Sequence, residues 1–191
     1  TTTRDGEDVC GFIGSSFLGS CPSFEGIHVS NLGSNSDDQG DCHSTFQLCA
    51  EFLEGHLAMT YSALAIIYTL GESSDDLPKE AIVRQVGRLQ GKDGCFSATE
   101  SGSERDLRFL YCACAISSFL DDWGGVDTQK ATAYVLECLS YDGGLALTPG
   151  GSEGQGGATY CGVAALHLMG MLDKVPPNKL SRIKLWLSQR V

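Results

Sequence analysis

The chain has 191 residues, with 24 acidic and 13 basic side chains and a net charge of −11. That balance excludes a general nucleic-acid binder, which needs a basic face to release counterions; 42% hydrophobic against 19% charged residues excludes wholesale disorder. Nine cysteines, an odd number with no CxxC pair and several inside apolar runs, argue for reduced thiols rather than a disulfide framework.

The opening residues, TTTRDGED, show no charged-then-apolar leader, so no secretory signal is expected. Both ends read as cut: the chain opens without Met and stops straight after a helix-like stretch. Cys10-Gly11-Phe12 is a glycine turn. Behind it comes a Ser-, Gly-, Asn- and Asp-rich stretch (SNLGSNSDDQGD), and loop or disorder is expected over 20–52 because it cannot bury enough apolar area to offset its ordering entropy. Cys42-His43 lies there. No second pair sits at a ligand spacing, so a surface loop is expected rather than a metal site.

Three segments are apolar nearly all round: Leu57–Leu70, Leu107–Leu120 and residues 158–172. Each is well short of the ~20 residues needed to cross a bilayer, so they are expected to be buried helices and not membrane spans. Each carries a tyrosine near its start, Tyr61, Tyr111 and Tyr160, spaced by 50 and 49. A glycine turn precedes the second and third, Asp93-Gly94-Cys95-Phe96 and Asp142-Gly143-Gly144-Leu145, and Phe96 and Leu145 both stand 15 residues before their tyrosine. Between the apolar helices lie amphipathic segments. Ile82, Val86 and Leu89 make a stripe in 78–90; Ala131, Val135, Cys138 and Leu139 make one in 127–139, with Asp127 as N-cap; Leu180, Ile183 and Leu187 make one in 177–190. A period near 50 means stacked helical hairpins. The expected fold is all-α: three hairpins of about 50 residues forming part of an α/α toroid, inner helices parallel, amphipathic helices outside, with an open solenoid as the alternative. An incomplete ring should leave apolar patches on the first and third inner helices.

No phosphate loop, GxSxG elbow or HExxH is present. Asp121-Asp122 follows a helix end and is expected to be solvated, and His167 to be a core histidine within its apolar helix. Five residues before each landmark tyrosine stand His56, Asp106 and Gln155. The repeat brings all three to one end of the inner helices, where unpaired N–H groups favour an anion. Gln155-Gly156-Gly157 offers an open backbone there, and Arg108 lies near the second helix start. Ordinary capping is the reading these residues favour on their own.

The blocks LQGKDGCF (89–96), ERDLRFLYCACAI (104–116), LDDWGGVD (120–127), LSYDGGLALTPGGSEGQGGATYCGVAALHLMG (139–170) and GHLAMTYSALAIIYTLG (55–71) resemble the protein prenyltransferase β-subunit family. DLRFLYCA followed by DDWGGVD is most like the type I geranylgeranyltransferase branch, with the farnesyltransferase branch as an alternative. The resemblance covers roughly 10–19 and 53–190. It implies an α-α toroid paired with a helical-repeat α subunit in the cytoplasm. It implies transfer of a C20 isoprenoid from geranylgeranyl diphosphate to the Cys of C-terminal CaaX motifs on proteins such as small GTPases, with zinc activating that thiol.

Carried onto this sequence, Arg108 matches a residue near the peptide's C-terminal end, Tyr111 a lipid-bordering one and Cys161 a position on the isoprenoid wall. Gln155, with Gly156 and Gly157, stands where the family has His-Gly-Gly at the diphosphate. The family's zinc ligands, an Asp-x-Cys and a later His, have no counterpart before Val191, so no metal ligand and no catalytic residue is expected within 1–191. The chain reads as the central portion of one toroid domain, inactive by itself. The alternative is a non-catalytic truncated isoform or paralogue acting as a binding piece.

Overall fold

Residues 2–4, 7–9, 55–73, 77–102, 104–150 and 153–190 are described in the computed structural model. Six α-helices carry them: α1 (Leu57–Leu70), α2 (Lys79–Leu89), α3 (Leu107–Leu120), α4 (Thr128–Glu137), α5 (Gly156–Leu168) and α6 (Pro177–Ser188), with a 3-10 turn at Leu172–Lys174. Two three-residue strands, β1 (Thr2–Arg4) and β2 (Glu7–Val9), pair antiparallel with Thr2 opposite Val9. Apart from isolated bridges such as Gln90 with Phe96 and Leu139 with Leu145, they are the departure from an all-α chain among the described residues, and β2 lies against α2. The 20–52 stretch, with Cys42-His43 and the Cys10 turn, falls outside the described residues.

Helix limits follow from local chemistry. The His56 and Asp106 side chains accept from N–H groups in the first turns of α1 and α3, and Asp127 caps α4 as its position suggests. α1 stops at Gly71 and α3 at Asp121, both left-handed, with φ of 73° and 52°. Asp121 takes the place glycine usually holds, which a short polar side chain tolerates better than a bulky one. Pro177 opens α6, where its missing N–H costs nothing.

α3 packs between α1 and α5. α1 and α3 run parallel, because His56 meets Phe109 near the helix starts while Tyr68 stacks on Phe119 near the ends; α3 and α5 both start beside residues 145–147, Leu107 N–H donating to Leu147 O and Gln155 N–H to Leu145 O. Leu107, Leu110, Ala113, Cys114 and Ile116 of α3 are sealed from solvent, together with Phe96, Leu145 and Leu166 around them. Each large side chain so buried contributes on the order of 1.5–3 kcal/mol. The outer helices bury the expected stripes of α2 and α4: Ile82, Val86 and Leu89, then Ala131, Val135 and Cys138, with Leu139 half-buried.

Several expectations need correction. First, α1 is not buried all round: only Leu57, Thr60 and Leu64 are, because one face packs on α3 and Leu57 and Thr60 face Ile82 and Val86 of α2 across a small void, while Met59, Ile66 and Leu70 (70% exposed) point outward. Met59, Ile66 and Leu70 are thus exposed apolar side chains of α1. On α5, Tyr160 is the one large hydrophobic residue strongly exposed, and His167, read as a core histidine, is exposed as well. Second, the third inner helix begins at Gly156 and ends at Leu168 rather than covering 158–172. Third, Leu187 is exposed and Trp186 is buried in its stead beside Ile183. Fourth, Asp122 is half-buried, its carboxylate accepting from Gly124 N–H at 2.8 Å, while Asp121 is exposed as expected.

The Trp186 correction has a geometric cause. Gly94 (φ +91°) and Gly143 (φ +102°) stand at matching places in their turns, 143 − 94 = 49 apart, and each presses on the backbone of the outer helix that follows. A Cβ on Gly94 would lie 2.3 Å from Lys130 O, and one on Gly143 would lie 3.0 Å from Arg182 O. Those helix residues are 182 − 130 = 52 apart. The three extra residues equal the length of the 3-10 turn before α6. They move the buried stripe of α6 three places along, so Trp186 answers to Tyr134, not to Glu137.

Candidate functional site: the inner helices α3 and α5

The three residues are the N-caps of α1, α3 and α5, but with different chemistry. His56 Nδ1 accepts from Ala58 N–H at 3.2 Å, and Asp106 Oδ1 accepts from Arg108 N–H at 2.8 Å. Gln155 stands at the N-cap of α5 with no side-chain cap bond, so capping accounts for two of the three and not for it. Gln155, Gly156 and Gly157 are all exposed, and a Cβ on either glycine would meet nothing within 4 Å. The first turn of α5 is open on its outer side, with donors of the kind that favour an anion.

Arg108 is already engaged. Its Nε donates to both Asp106 oxygens (3.0 and 3.1 Å), and Nη2 donates to Asp106 Oδ2 (2.6 Å) and Glu104 Oε2 (3.2 Å). Its guanidinium carbon lies 5.5 Å from the centroid of Phe109. The bond to Asp106 raises its pKa further, so it is charged at any pH of interest. It presents a cation shared with two carboxylates, half in solvent.

One helical turn further on, the tyrosines align. Tyr111 O–H lies 3.4 Å from Tyr61 O–H on one side and 3.4 Å from Tyr160 O–H on the other. The rings meet obliquely, with centroids 5.6 and 5.5 Å apart. Phe119 stacks with Tyr61 and Tyr68, and the Tyr68 hydroxyl donates to Phe119 O. Burial, then the Tyr160 and Tyr61 hydroxyls, push the Tyr111 phenol up, so it stays protonated. The result is an aromatic wall along α1, α3 and α5, ending in Tyr160 at 62% exposed. The 50- and 49-residue spacing signalled this wall in the sequence, although only Tyr111 was singled out for it.

Cys161 is half-buried beside Tyr160, and burial pushes its thiol up. Cys112, Cys114 and Cys138 are buried and pushed up to about 12. None of these is a thiolate near neutral pH, so they line and pack rather than react. Among the described residues no group of three His, Cys, Asp or Glu side chains converges as a metal would require, so a zinc ion does not fit the residues described. No helix among them is long and apolar enough to cross a membrane.

The pattern of the prenyltransferase alpha-alpha toroid domain matches residues 4–191, and the chain belongs to that family. Among its relatives, the geranylgeranyl transferase type-1 β subunit of Arabidopsis thaliana is 48% identical over 117 residues, 61% of this chain and 31% of the relative. That of Dictyostelium discoideum is 35% identical over 184 residues, 95% of this chain and 47% of the relative. A solved structure of Candida albicans protein geranylgeranyltransferase-I complexed with GGPP superposes with a TM-score of 0.62 at 25% identity, covering 76% of this chain and 43% of that one. The chain thus spans a third to a half of the relatives it matches.

Proposed function

We propose that residues 1–191 form the central portion of one toroid domain in the β subunit of a type I protein geranylgeranyltransferase. The observation that carries this is the wall itself. α3 and α5 stand side by side with Tyr111 touching Tyr160, Cys161 following on α5, and Arg108 and the open Gln155-Gly156-Gly157 turn at one end. A long apolar chain suits the aromatic face, and a diphosphate suits the uncapped turn. That pairing matches an isoprenoid diphosphate better than it matches a purely polar or purely apolar ligand.

In the proposed reaction the sulfur of a protein substrate's CaaX cysteine, having lost its proton, forms a bond to C1 of the geranylgeranyl chain. The C1–O bond breaks, and diphosphate leaves with the electron pair. The residues described supply binding groups: ring faces for the lipid, first-turn N–H groups of α5 and the Gln155 amide for the leaving group. They include no nucleophile, and none is needed, because the substrate brings its own. Zinc, which the family resemblance implies, is assigned to no residue here, and turnover is expected from the complete subunit rather than this stretch. The partners proposed are a prenyltransferase α subunit and CaaX-ending proteins such as small GTPases, in the cytoplasm. The test is a complete β subunit assembled with its α subunit and offered a peptide ending in CaaL. Geranylgeranyl transfer should exceed farnesyl transfer; a preference for the farnesyl donor, or no transfer of either, overturns the proposal.

A further inference from the structure

The Asp142 carboxylate lies in the glycine turn before α5 and bonds to three separate parts of the third hairpin. Oδ1 accepts from Gly144 N–H (3.1 Å) and Gly154 N–H (3.2 Å). Oδ2 accepts from Trp186 Nε1–H on α6 (2.7 Å), lies 3.3 Å from Gly154 N, and is 3.5 Å from Arg190 Nη2. Gly154 directly precedes Gln155, whose own N–H donates to Leu145 O at 2.9 Å. A Cβ on Gly154 would sit 2.5 Å from Gly144 Cα, so the segment entering α5 lies on the turn with no room between. Burial pushes the Asp142 carboxyl up, but the Trp186 indole and the Gly144 and Gly154 amides prevail and hold it below its ordinary value.

The second hairpin meets the same need with other atoms. Asp93, the residue matching Asp142, accepts from Cys95 N–H (3.2 Å) and from Nη2 of Arg105 (2.6 Å). Arg105 stands 49 residues before Gly154. In that hairpin the clasp is a side chain, half in solvent; in the third it is the backbone amide one residue ahead of the helix cap, with an indole behind the carboxylate. The amide clasp therefore fixes the backbone path into α5 directly.

We infer that Asp142 is a positioning residue for α5: acting through Gly154 and oriented by Trp186, it sets where Gln155, Gly156 and Gly157 meet the diphosphate of an isoprenoid diphosphate. This rests on the proposed reading of α5 as a substrate-binding helix. A carboxylate can accept several N–H bonds at once, whereas an amide in its place has one oxygen and would turn an NH2 toward the Trp186 or Gly154 donor. Displacement of a binding group by even about 1 Å is enough to lose much of its interaction.

The test uses the complete β subunit assembled with its α subunit, and measures binding of geranylgeranyl diphosphate and of geranylgeraniol, the same lipid without the diphosphate. Asp142→Asn should weaken diphosphate binding about tenfold, the loss of one charge-assisted contact, and leave the alcohol within about twofold. Trp186→Phe keeps both Gly154 contacts and should give a smaller loss, about threefold, again confined to the diphosphate. Unchanged binding of both ligands by Asp142→Asn overturns the inference. So does an equal loss for both that tracks a lowered unfolding temperature, since that is the signature of a merely structural role. Should Asp142→Asn fail to fold, Trp186→Phe decides, and an unaltered diphosphate affinity in it overturns the inference. Wild type that binds the alcohol as tightly as the diphosphate overturns the reading of α5 itself, and the inference with it.

Discussion

Replacing Gly94 by alanine probes the contact that ties each glycine turn to its outer helix, and Gly102 supplies the control. Both have positive φ, +91° and +87°, so alanine meets similar backbone strain at each, on the order of 1–2 kcal/mol. Their surroundings differ. A Cβ on Gly94 would lie 2.3 Å from Lys130 O and 2.4 Å from Lys130 C, whereas one on Gly102 would meet nothing within 4 Å. The carbonyl belongs to α4 and moves only if the helix moves, which costs about 1–3 kcal/mol as overpacking does elsewhere. Against these stands a gain of about 0.4–1 kcal/mol from stiffening the unfolded chain, equal at the two sites. Gly94→Ala is expected to destabilise by about 3 kcal/mol and Gly102→Ala by about 1 kcal/mol or less. For a protein of this size the former lowers Tm by roughly 6–12 °C. Urea unfolding followed by circular dichroism, with unchanged m, is the assay. Equal losses at the two glycines would refute the close approach and leave φ as the whole effect.

Asp106→Ala removes the cap of α3 and should cost about 1 kcal/mol in the same assay, while Asp106→Asn, which can still cap, should cost clearly less. Burial outweighs Glu104 and lowers the His56 pKa, so the neutral ring that accepts from Ala58 N–H is favoured by folding. Its stabilising effect is full above the usual histidine pKa and is lost as pH falls through the depressed one; His56→Asn should flatten that part of a pH–stability curve. Cys112, Cys114 and Cys138, with thiols pushed up to about 12, should resist iodoacetamide at pH 8 in the native state, and peptide mass mapping that finds them alkylated as fast as in urea would contradict their burial. Gln85→Leu should be neutral or stabilising by about 1 kcal/mol, because Gln85 Oε1 is buried with no partner among the described residues beside a cavity of about 10 Å³; a thermal melt showing a loss would mean that another group satisfies it.

Much of this architecture was legible because three repeats report on one another. α1 and α3 begin and end where the apolar runs Leu57–Leu70 and Leu107–Leu120 do, since capping residues bracket them. The 49- and 50-residue tyrosine spacing predicted neighbours that the structure brings to 3.4 Å. What the pattern could not carry was position within the arc. Hydrophobicity says that Met59 and Ile66 suit a buried face, not whether another helix covers it. The buried place of Trp186 was hidden because a 3-10 turn of three residues breaks register only on the outer side. Asp142 was passed over because its contacts are to two backbone amides, an indole and a guanidinium, three of the four groups from positions 12 to 48 residues away, which side-chain motifs do not encode.

The tyrosine contacts have a direction. Tyr61, Tyr111 and Tyr160 carry three hydroxyl hydrogens, and the two contacts between them use two. The hydrogens can all point toward Tyr160 or all toward Tyr61, with every heavy atom in the same place. An oxygen acceptor arriving at the exposed Tyr160 selects the first arrangement; a donor selects the second. The polarity of one atom at that end is thereby written into the orientation of a hydroxyl on α1, two helices away and 99 positions earlier in the chain (160 − 61), through rotation of three O–H bonds alone.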